Sequence, residues 1–291
     1  MKHILLMVCG LFILVFSSHA QASFTGDTWA EAREKGSAEI TAVYLEEDSF
    51  AYTVDGQLTG VEIDIFEQFA TWVKNSKGVD LSINYVKETG FNTFYTMVKE
   101  SKGGVFGLGS VTILERRRAE VQFSEPFINN IAVLVTHESA TDLDSMSEIS
   151  KVYEDMVGIA PVGTTLEGYM EDLQAKYYPN LTINHIDSHQ DVLKNIISNP
   201  KAFAYMDLSM FWPAYKKQGE PIKRQAVGDL SAEQFGFIMP LDSDWSVVID
   251  EFFSIGGGYR STSSYRSILM KNLGTEVLQM LDLAQKRENR R

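Results

Sequence analysis

Residues 109–127 hold the chain's densest group of side chains suited to binding a small anion. Ser110 and Thr112 follow a short apolar stretch, and residues 116–118 are three consecutive arginines. We predict that Thr112 caps the next helical turn, because its hydroxyl can accept a backbone N–H there. A helix N-terminus attracts anions, and an arginine can add a bidentate hydrogen bond to a carboxylate. The alternative is a solvated arginine cluster, since charge runs usually lie on the surface.

The same segment resembles a motif of the periplasmic solute-binding proteins of polar amino-acid ABC transporters, the family-3 extracellular solute-binding proteins. Their pattern reads Thr-x-Thr-x-x-Arg, then Phe-Ser-x-Pro-Tyr. In that pattern the arginine stands six residues before the phenylalanine, so counting back from Phe123 selects Arg117. The resemblance implies that Arg117, Thr112 and Ser110 hold the carboxylate of a ligand. The chain departs from the pattern at three positions, which are Leu114, Arg116 and Phe127.

Two later segments also resemble ligand-binding positions of this family. Residues 163–167 resemble its Gly-Thr/Ser-Thr-x-Glu turn, which implies that Thr165 contacts the ligand carboxylate. Residues 199–207 occupy the place of a pattern that ends in an aspartate, the ligand of the ammonium group. The resemblance therefore assigns the ammonium to Asp207, although the Gly-Arg and the first Asp of the pattern are absent.

The first third of the chain offers further ligand contacts by the same resemblance. Phe91 matches an aromatic residue that stacks on the ligand side chain. Tyr44, Glu47 and Asp48 lie where the family has contacts from its first strand, although an insertion blurs the alignment there. Glu47 could serve a basic ligand side chain, but we favour an ordinary exposed loop acid.

Two similar α/β units must position these residues. Strand-like and helix-like apolar patterns alternate from about residue 39 to 108 and again from about 157 to 207, a βαβαβ rhythm in each case. In the first unit, helices are predicted over Val61–Lys74 and Phe91–Lys99. This rhythm predicts largely parallel sheets covered by helices. Ligands of such sheets bind beyond the carboxyl ends of strands. Residues 110–117, 163–165 and 207 all fall at such ends.

The rhythm and the resemblance together predict an α/β, two-lobed fold of the type II periplasmic-binding-protein kind. It would have two mixed, mostly parallel sheets and a ligand cleft between the lobes. Lobe one is predicted to be discontinuous, residues 23–132 and 234–291, and lobe two to span residues 133–233. Two crossover strands would carry hinges at about 132–134 and 230–234.

Residues 1–22 have the features of a cleaved signal peptide. Lys2 supplies a basic start, residues 4–16 are apolar, and Ala20-Gln21-Ala22 forms a small-residue cleavage site. The apolar run is short for a membrane span, although a retained N-terminal anchor is the alternative. We therefore expect a periplasmic product that begins at Ser23.

Charge and cysteine content exclude several classes of function. The chain carries a formal charge of −13, and loss of Lys2 with the signal would leave −14. Such a charge argues against nucleic-acid partners and anionic membranes. The only cysteine, Cys9, lies in the predicted signal, so we expect no disulfide and no thiolate chemistry. The histidines show no metal-ligand spacing, and we expect no metal and no cofactor.

We therefore expect a monomer that captures a polar amino acid or close analogue and delivers it to a membrane ABC permease. Two alternatives stay open. One is a periplasmic enzyme of the same fold, because the family that the chain resembles includes cyclohexadienyl-type dehydratases. That chemistry needs a general acid beside the carboxylate clamp, and the sequence identifies none, so we expect no catalytic residue. The other is a ligand-sensing module that acts on a separate receptor.

Overall fold

A computed structural model describes residues 23–230 and 232–288 of the protein. The predicted signal peptide, residues 1–22, lies outside the described residues. The strands, in chain order, are β1 Thr25–Gly26, β2 Ser37–Leu45, β3 Tyr52–Val54, β4 Gln57–Thr59, β5 Asp80–Glu88, β6 Lys102–Gly103, β7 Val105–Thr112, β8 Val121–Phe123, β9 Ile128–His137, β10 Val157–Pro161, β11 Ile183–Ile186, β12 Ala202–Asp207, β13 Ile222–Arg224 and β14 Ala232–Pro240. The α-helices are α1 Trp29–Lys35, α2 Val61–Lys77, α3 Phe91–Lys99, α4 Glu115–Arg118, α5 Ile149–Val152, α6 Thr165–Tyr177, α7 His189–Ser198, α8 Leu208–Pro213, α9 Ser246–Phe253, α10 Ser263–Asn272 and α11 Thr275–Glu288.

Each half of the molecule is built around three parallel strands. In the half that we call lobe one, β2 pairs in parallel with β5 on one side and β7 on the other. In lobe two, β10 pairs in parallel with β11 and β12. Helices connect these strands in chain order, as the βαβαβ rhythm predicted. Parallel neighbouring strands require a long crossover connection of this kind, which is usually a helix.

Two long antiparallel strands, β9 and β14, connect the lobes. Residues 128–131 of β9 pair with residues 232–235 of β14, whereas residues 132–136 pair with β12 of lobe two. The rest of β14 pairs with β7 and β8 in lobe one. The strands of the two lobes therefore form one continuous hydrogen-bonded sheet. The predicted two-lobed α/β architecture with two crossover strands is confirmed.

Helix α2 shows how local sequence sets the elements that support the site. Its apolar positions recur at helical spacing, and Ile65, Phe66 and Phe69 are fully buried against the lobe-one sheet. Gly78 ends the helix with φ 72°, a left-handed conformation that glycine adopts without steric cost. The helix runs three residues beyond the predicted end at Lys74.

Strand β7 differs from its prediction in a way that matters for the site. It continues past residue 108 to Thr112, because residues 111 and 112 pair with Gly236 and Phe235 of β14. The prediction that Thr112 caps a helix is therefore wrong. Helix α4 begins at Glu115 with Leu114 at the cap position, and no side chain caps it. The pairing partner lies more than a hundred residues away, so local sequence gave no indication of it.

Candidate functional site

The end of β7 and the start of α6 meet between the lobes. Thr112 Oγ1 of lobe one lies 3.2 Å from Thr165 Oγ1 of lobe two. Arg117 Nη1 donates to the carbonyl oxygen of Thr112 at 3.2 Å, and Nη2 donates to the carbonyl oxygen of Gly163 at 3.1 Å. Thr112, Thr165 and Arg117, three residues predicted to bind the ligand carboxylate, thus lie together. Arg117 hydrogen-bonds to the backbone of both lobes.

Arg117 is the buried member of the arginine run. Its exposed fraction is 4%, whereas Arg116 and Arg118 are exposed. Its guanidinium carbon lies 5.0 Å from the ring centre of Phe91 and 5.7 Å from that of Tyr95, within the range of cation–π attraction. Burial, with a smaller effect of the Arg116 charge, lowers the pKa of Arg117 to about 10. The side chain therefore remains cationic at neutral pH.

Glu233 on β14 completes this group, although it was not among the site residues predicted from the sequence. Its Oε2 accepts hydrogen bonds from Thr112 Oγ1 at 2.8 Å, Tyr169 Oη at 3.3 Å and Thr165 Oγ1 at 3.4 Å. Its Oε1 accepts from Asn130 Nδ2 at 3.5 Å. Burial raises the pKa of Glu233, and these four donors oppose part of the rise because they favour the charged form.

A sequence signal for Glu233 did exist. The crossover strands are buried, yet β9 carries Asn130 and β14 carries Glu233 directly opposite it in the ladder. A buried charged side chain needs partners, so polar residues inside buried strands indicate a site. The hydrogen-bond partners of Glu233 lie 64 to 121 residues away in the sequence. A local sequence pattern therefore cannot show that these residues meet Glu233.

Asp207 belongs to the same network. It ends β12, is 5% exposed, and accepts a hydrogen bond from Asn130 Nδ2 at 2.7 Å. Asn130 therefore links the carboxylate predicted for the ligand ammonium to Glu233. Arg117 supplies positive charge close to Glu233.

The backbone of Ser110 hydrogen-bonds to a second buried acid, Glu62. Ser110 has φ 50°, a left-handed conformation, and its N–H donates to Glu62 Oε1 at 2.7 Å. Ser110 Oγ has no hydrogen-bond partner among the residues that the structure describes. Glu62 is fully buried, and this burial, with the nearby charge of Glu47, raises its pKa well above the usual range.

Glu47 is not an exposed loop acid, so that interpretation was wrong. Its side chain is 2% exposed, because the inserted residues after β2 fold into a tight turn. The N–H of Glu47 donates to the carbonyl oxygen of Ala51 at 2.9 Å, and that of Phe50 donates to the carbonyl oxygen of Glu47 at 3.1 Å. The turn carries Glu47 inward, towards Glu62.

Tyr44 lies apart from the other predicted ligand residues. Alternate residues of a strand face opposite sides of its sheet. Val43 and Leu45 pack with Phe91, whereas Tyr44 packs on the other face in the core that contains α2. Its ring meets Tyr85 edge-on, with centroids 6.5 Å apart. The structure thus groups Phe91 with Arg117 but does not bring Tyr44 to them.

Within residues 23–230 and 232–288, no group of His, Cys, Asp and Glu side chains is arranged to hold a metal ion. Over the same residues, no helix combines the length and the apolar character that crossing a bilayer requires.

Comparison with known proteins identifies the family. Residues 40–284 match the family described as "Bacterial extracellular solute-binding proteins, family 3". The chain belongs to this family. The resemblance seen in the sequence is thereby confirmed over most of this solute-binding protein. No curated protein sequence matches the chain.

Solved structures show the same fold at low sequence identity. An ancestral arginine-binding protein bound to arginine is 17% identical, with a TM-score of 0.64 over 81% of this chain and 98% of that one. A putative ABC-transporter binding component from Wolinella succinogenes, complexed with lysine, is 17% identical, with a TM-score of 0.64 over 83% and 98%. A putative L-cystine ABC transporter protein from Listeria monocytogenes is 13% identical, with a TM-score of 0.64 over 82% and 97%.

Proposed function

We propose that this solute-binding protein captures a polar amino acid or close analogue between its lobes and delivers it to a membrane ABC permease. One observation carries the proposal. Arg117 is buried, hydrogen-bonds to the backbone of both lobes, and lies beside two facing threonine hydroxyls. A buried guanidinium with adjacent hydroxyl donors suits a carboxylate group.

The proposed roles divide the ligand between the two lobes. Arg117 and Thr112 of lobe one, with Thr165 of lobe two, would hold the carboxylate. Ser110, two positions before Thr112 on β7, has a hydroxyl with no hydrogen-bond partner among the described residues and would join them. Asp207, which shares the Asn130 amide with Glu233, would receive the ammonium group. A zwitterion that bridges both lobes favours the closed arrangement, because it gains the second set of contacts only on closure.

The ring of Phe91 would contact the ligand side chain. Phe91 is 6% exposed and lies under the guanidinium of Arg117, so it borders the carboxylate position. The similar structures include an arginine-binding protein, a binding component complexed with lysine and a putative L-cystine transporter, which supports an amino acid as the ligand class. These similarities establish the fold and leave the choice of ligand to experiment.

We propose that the protein acts as a periplasmic monomer after cleavage behind Ala22. The Ala-x-Ala site of the sequence and the extracellular description of the family support export. Intact-mass analysis of protein recovered from the periplasm should give a chain that begins at Ser23. A full-length chain confined to the cytoplasm would contradict this part of the proposal.

Native mass spectrometry of protein purified without unfolding tests the proposed function. We expect a mass increment that matches a polar amino acid, and its release on partial unfolding. A thermal-shift panel of the twenty amino acids should then identify the same compound. Absence of any increment, together with absence of any thermal shift across the panel, would contradict amino-acid capture.

One observation favours the enzyme alternative that the sequence left open. A dehydratase of this fold needs a general acid beside the carboxylate clamp. Glu233 lies there, and its raised pKa increases the fraction that carries a proton at a given pH. Long incubation with prephenate, followed by chromatography, separates the two functions. We expect unchanged prephenate, whereas catalytic consumption that Glu233→Gln abolishes would establish the enzyme.

A further inference from the structure

The carboxylate of Glu233 makes contacts that resemble those of a bound ligand. One of its oxygens, Oε2, accepts from Thr112 of lobe one and from Thr165 and Tyr169 of lobe two. The acid itself projects from β14, a strand that crosses between the lobes. A single carboxylate therefore ties the two lobes together through hydroxyl groups.

These hydroxyls cannot serve two carboxylates at once. Each threonine hydroxyl has one hydrogen to donate. While Thr112 donates to Glu233 at 2.8 Å, it has no second hydrogen for a ligand carboxylate. Two carboxylates within hydrogen-bond reach of one pair of hydroxyls would also repel each other, which disfavours ionisation of both.

The charges around Glu233 do not remove this conflict. Arg117 is a cation that acts on Glu233, and it already donates to two backbone carbonyl groups. Asp207, the other acid of the network, lies across the shared amide of Asn130. A second carboxylate entering beside Arg117 would meet the charge of Glu233, unless Glu233 gave up its hydroxyl partners.

We infer that Glu233 is a tethered carboxylate that occupies the anion position of the cleft and competes with the carboxylate of the ligand. The inference rests on the proposed function, because it assigns the same two threonine hydroxyls to both groups. It makes Glu233 a specificity-determining residue. The Glu233 side chain weakens the binding of ligands that carry a carboxylate, because such a ligand must displace it. Without such a ligand, the Glu233 carboxylate itself accepts the hydrogen bonds of the two threonine hydroxyls.

Anion rescue tests the tethered position without any amino-acid ligand. Glu233→Ala should leave a site where Thr112, Thr165, Tyr169 and Asn130 can donate to a small carboxylate. Sodium acetate should raise the melting temperature of this variant more than an equal concentration of sodium chloride does. The parent protein and Glu171→Ala, which removes an exposed acid from the same helix as Thr165, should show no such difference. Equal responses to acetate in all three proteins would overturn the inference.

Calorimetric titration with L-arginine, L-lysine and L-glutamine tests the competition itself. Glu233→Gln, which keeps the size of the side chain, and Glu233→Ala should each bind the preferred amino acid about tenfold more tightly than the parent. Glu171→Ala should bind like the parent. Weaker binding by both Glu233 variants would overturn the inference, because Glu233 would then hold the ligand directly.

The two readouts separate the inference from the function on which it rests. If no amino acid binds the parent or any variant, amino-acid capture fails. Acetate rescue then still decides whether Glu233 fills a carboxylate site. If amino acids bind the parent but acetate does not rescue Glu233→Ala, the proposed function stands and the tethered carboxylate is rejected.

Discussion

Thr112 Oγ1 and Thr165 Oγ1 lie 3.2 Å apart, although 53 positions separate the two residues and they belong to different lobes. Such a contact exists only while the lobes are together. The same region also contains the hydrogen bond from Arg117 to Gly163. Variants that change this junction should therefore alter lobe closure and ligand affinity together, without changing the core of either lobe.

Gly163→Ala should weaken ligand binding by obstructing closure. Gly163 has φ +80°, and a Cβ at this position would lie 1.9 Å from Asn92 Oδ1 of lobe one. The left-handed backbone alone costs about 1–2 kcal/mol for a residue with a side chain. We expect at least a tenfold loss of affinity in calorimetry. Adding Asn92→Ala should restore part of that loss, because it removes the atom that the new methyl group meets.

Gly168→Ala is the matched control for this prediction. Gly168 lies inside α6, and nothing lies within 4 Å of the position where its Cβ would be. Alanine inside a helix is favoured over glycine by about 0.5–1 kcal/mol. This variant should therefore melt at a higher temperature and bind like the parent. Equal losses of affinity in both glycine variants would show that closure does not depend on the contact with Asn92.

Asp207→Asn should weaken binding and reduce closure at a fixed ligand concentration. The substitution removes the charge proposed for the ligand ammonium, whereas the side chain can still accept from Asn130. Small-angle scattering of the parent should show a smaller radius of gyration when its amino acid is added. The variant should approach the same radius only at higher ligand concentration. An unchanged radius for the parent at a concentration shown to saturate it would contradict a ligand that bridges the lobes.

Ionisation of the buried Glu62 carboxyl group should lower the free energy of unfolding as the pH rises. Its pKa in the folded protein is raised well above the usual value because burial disfavours the charged form. Its contribution to stability is therefore complete below the unfolded pKa of about 4.5 and is lost as pH rises through the folded pKa. Glu62→Gln removes this titration and retains an oxygen that can accept from Ser110. The stability advantage of the parent over this variant, measured by denaturant unfolding, should shrink between pH 5 and pH 8. An advantage that is constant or grows with pH would contradict the assignment.

The elements that depend on local pattern were predicted well from the sequence. Helix α3 has the predicted bounds, Phe91–Lys99, and the predicted start of α2 at Val61 is also confirmed. Regular apolar spacing fixes such elements, because each must bury one face against its sheet. The family motif, counted back from Phe123, selected Arg117, the arginine that proved to be buried.

The features that were missed depend on contacts between distant residues. Pairing with β14 extends β7 through Thr112, so the hydroxyl faces Glu233 and caps no helix. Glu47 is buried because an inserted turn folds inward. Long-range pairing and burial override local propensity in both cases. The assignments of Thr165 and Asp207 came from family resemblance, and their roles in binding remain proposals.

Calorimetric titration of three arginine variants tests the central claim most directly. Arg117→Ala should lose about 2–5 kcal/mol of binding free energy, the usual cost of truncating one side of a buried charge-assisted pair. That corresponds to a loss of affinity of about 30-fold to several thousand-fold. Arg116→Ala and Arg118→Ala, whose side chains are exposed, should each lose less than about 1 kcal/mol. Equal losses in all three variants, or a loss confined to Arg116→Ala or Arg118→Ala, would contradict a cleft that holds its ligand through Arg117.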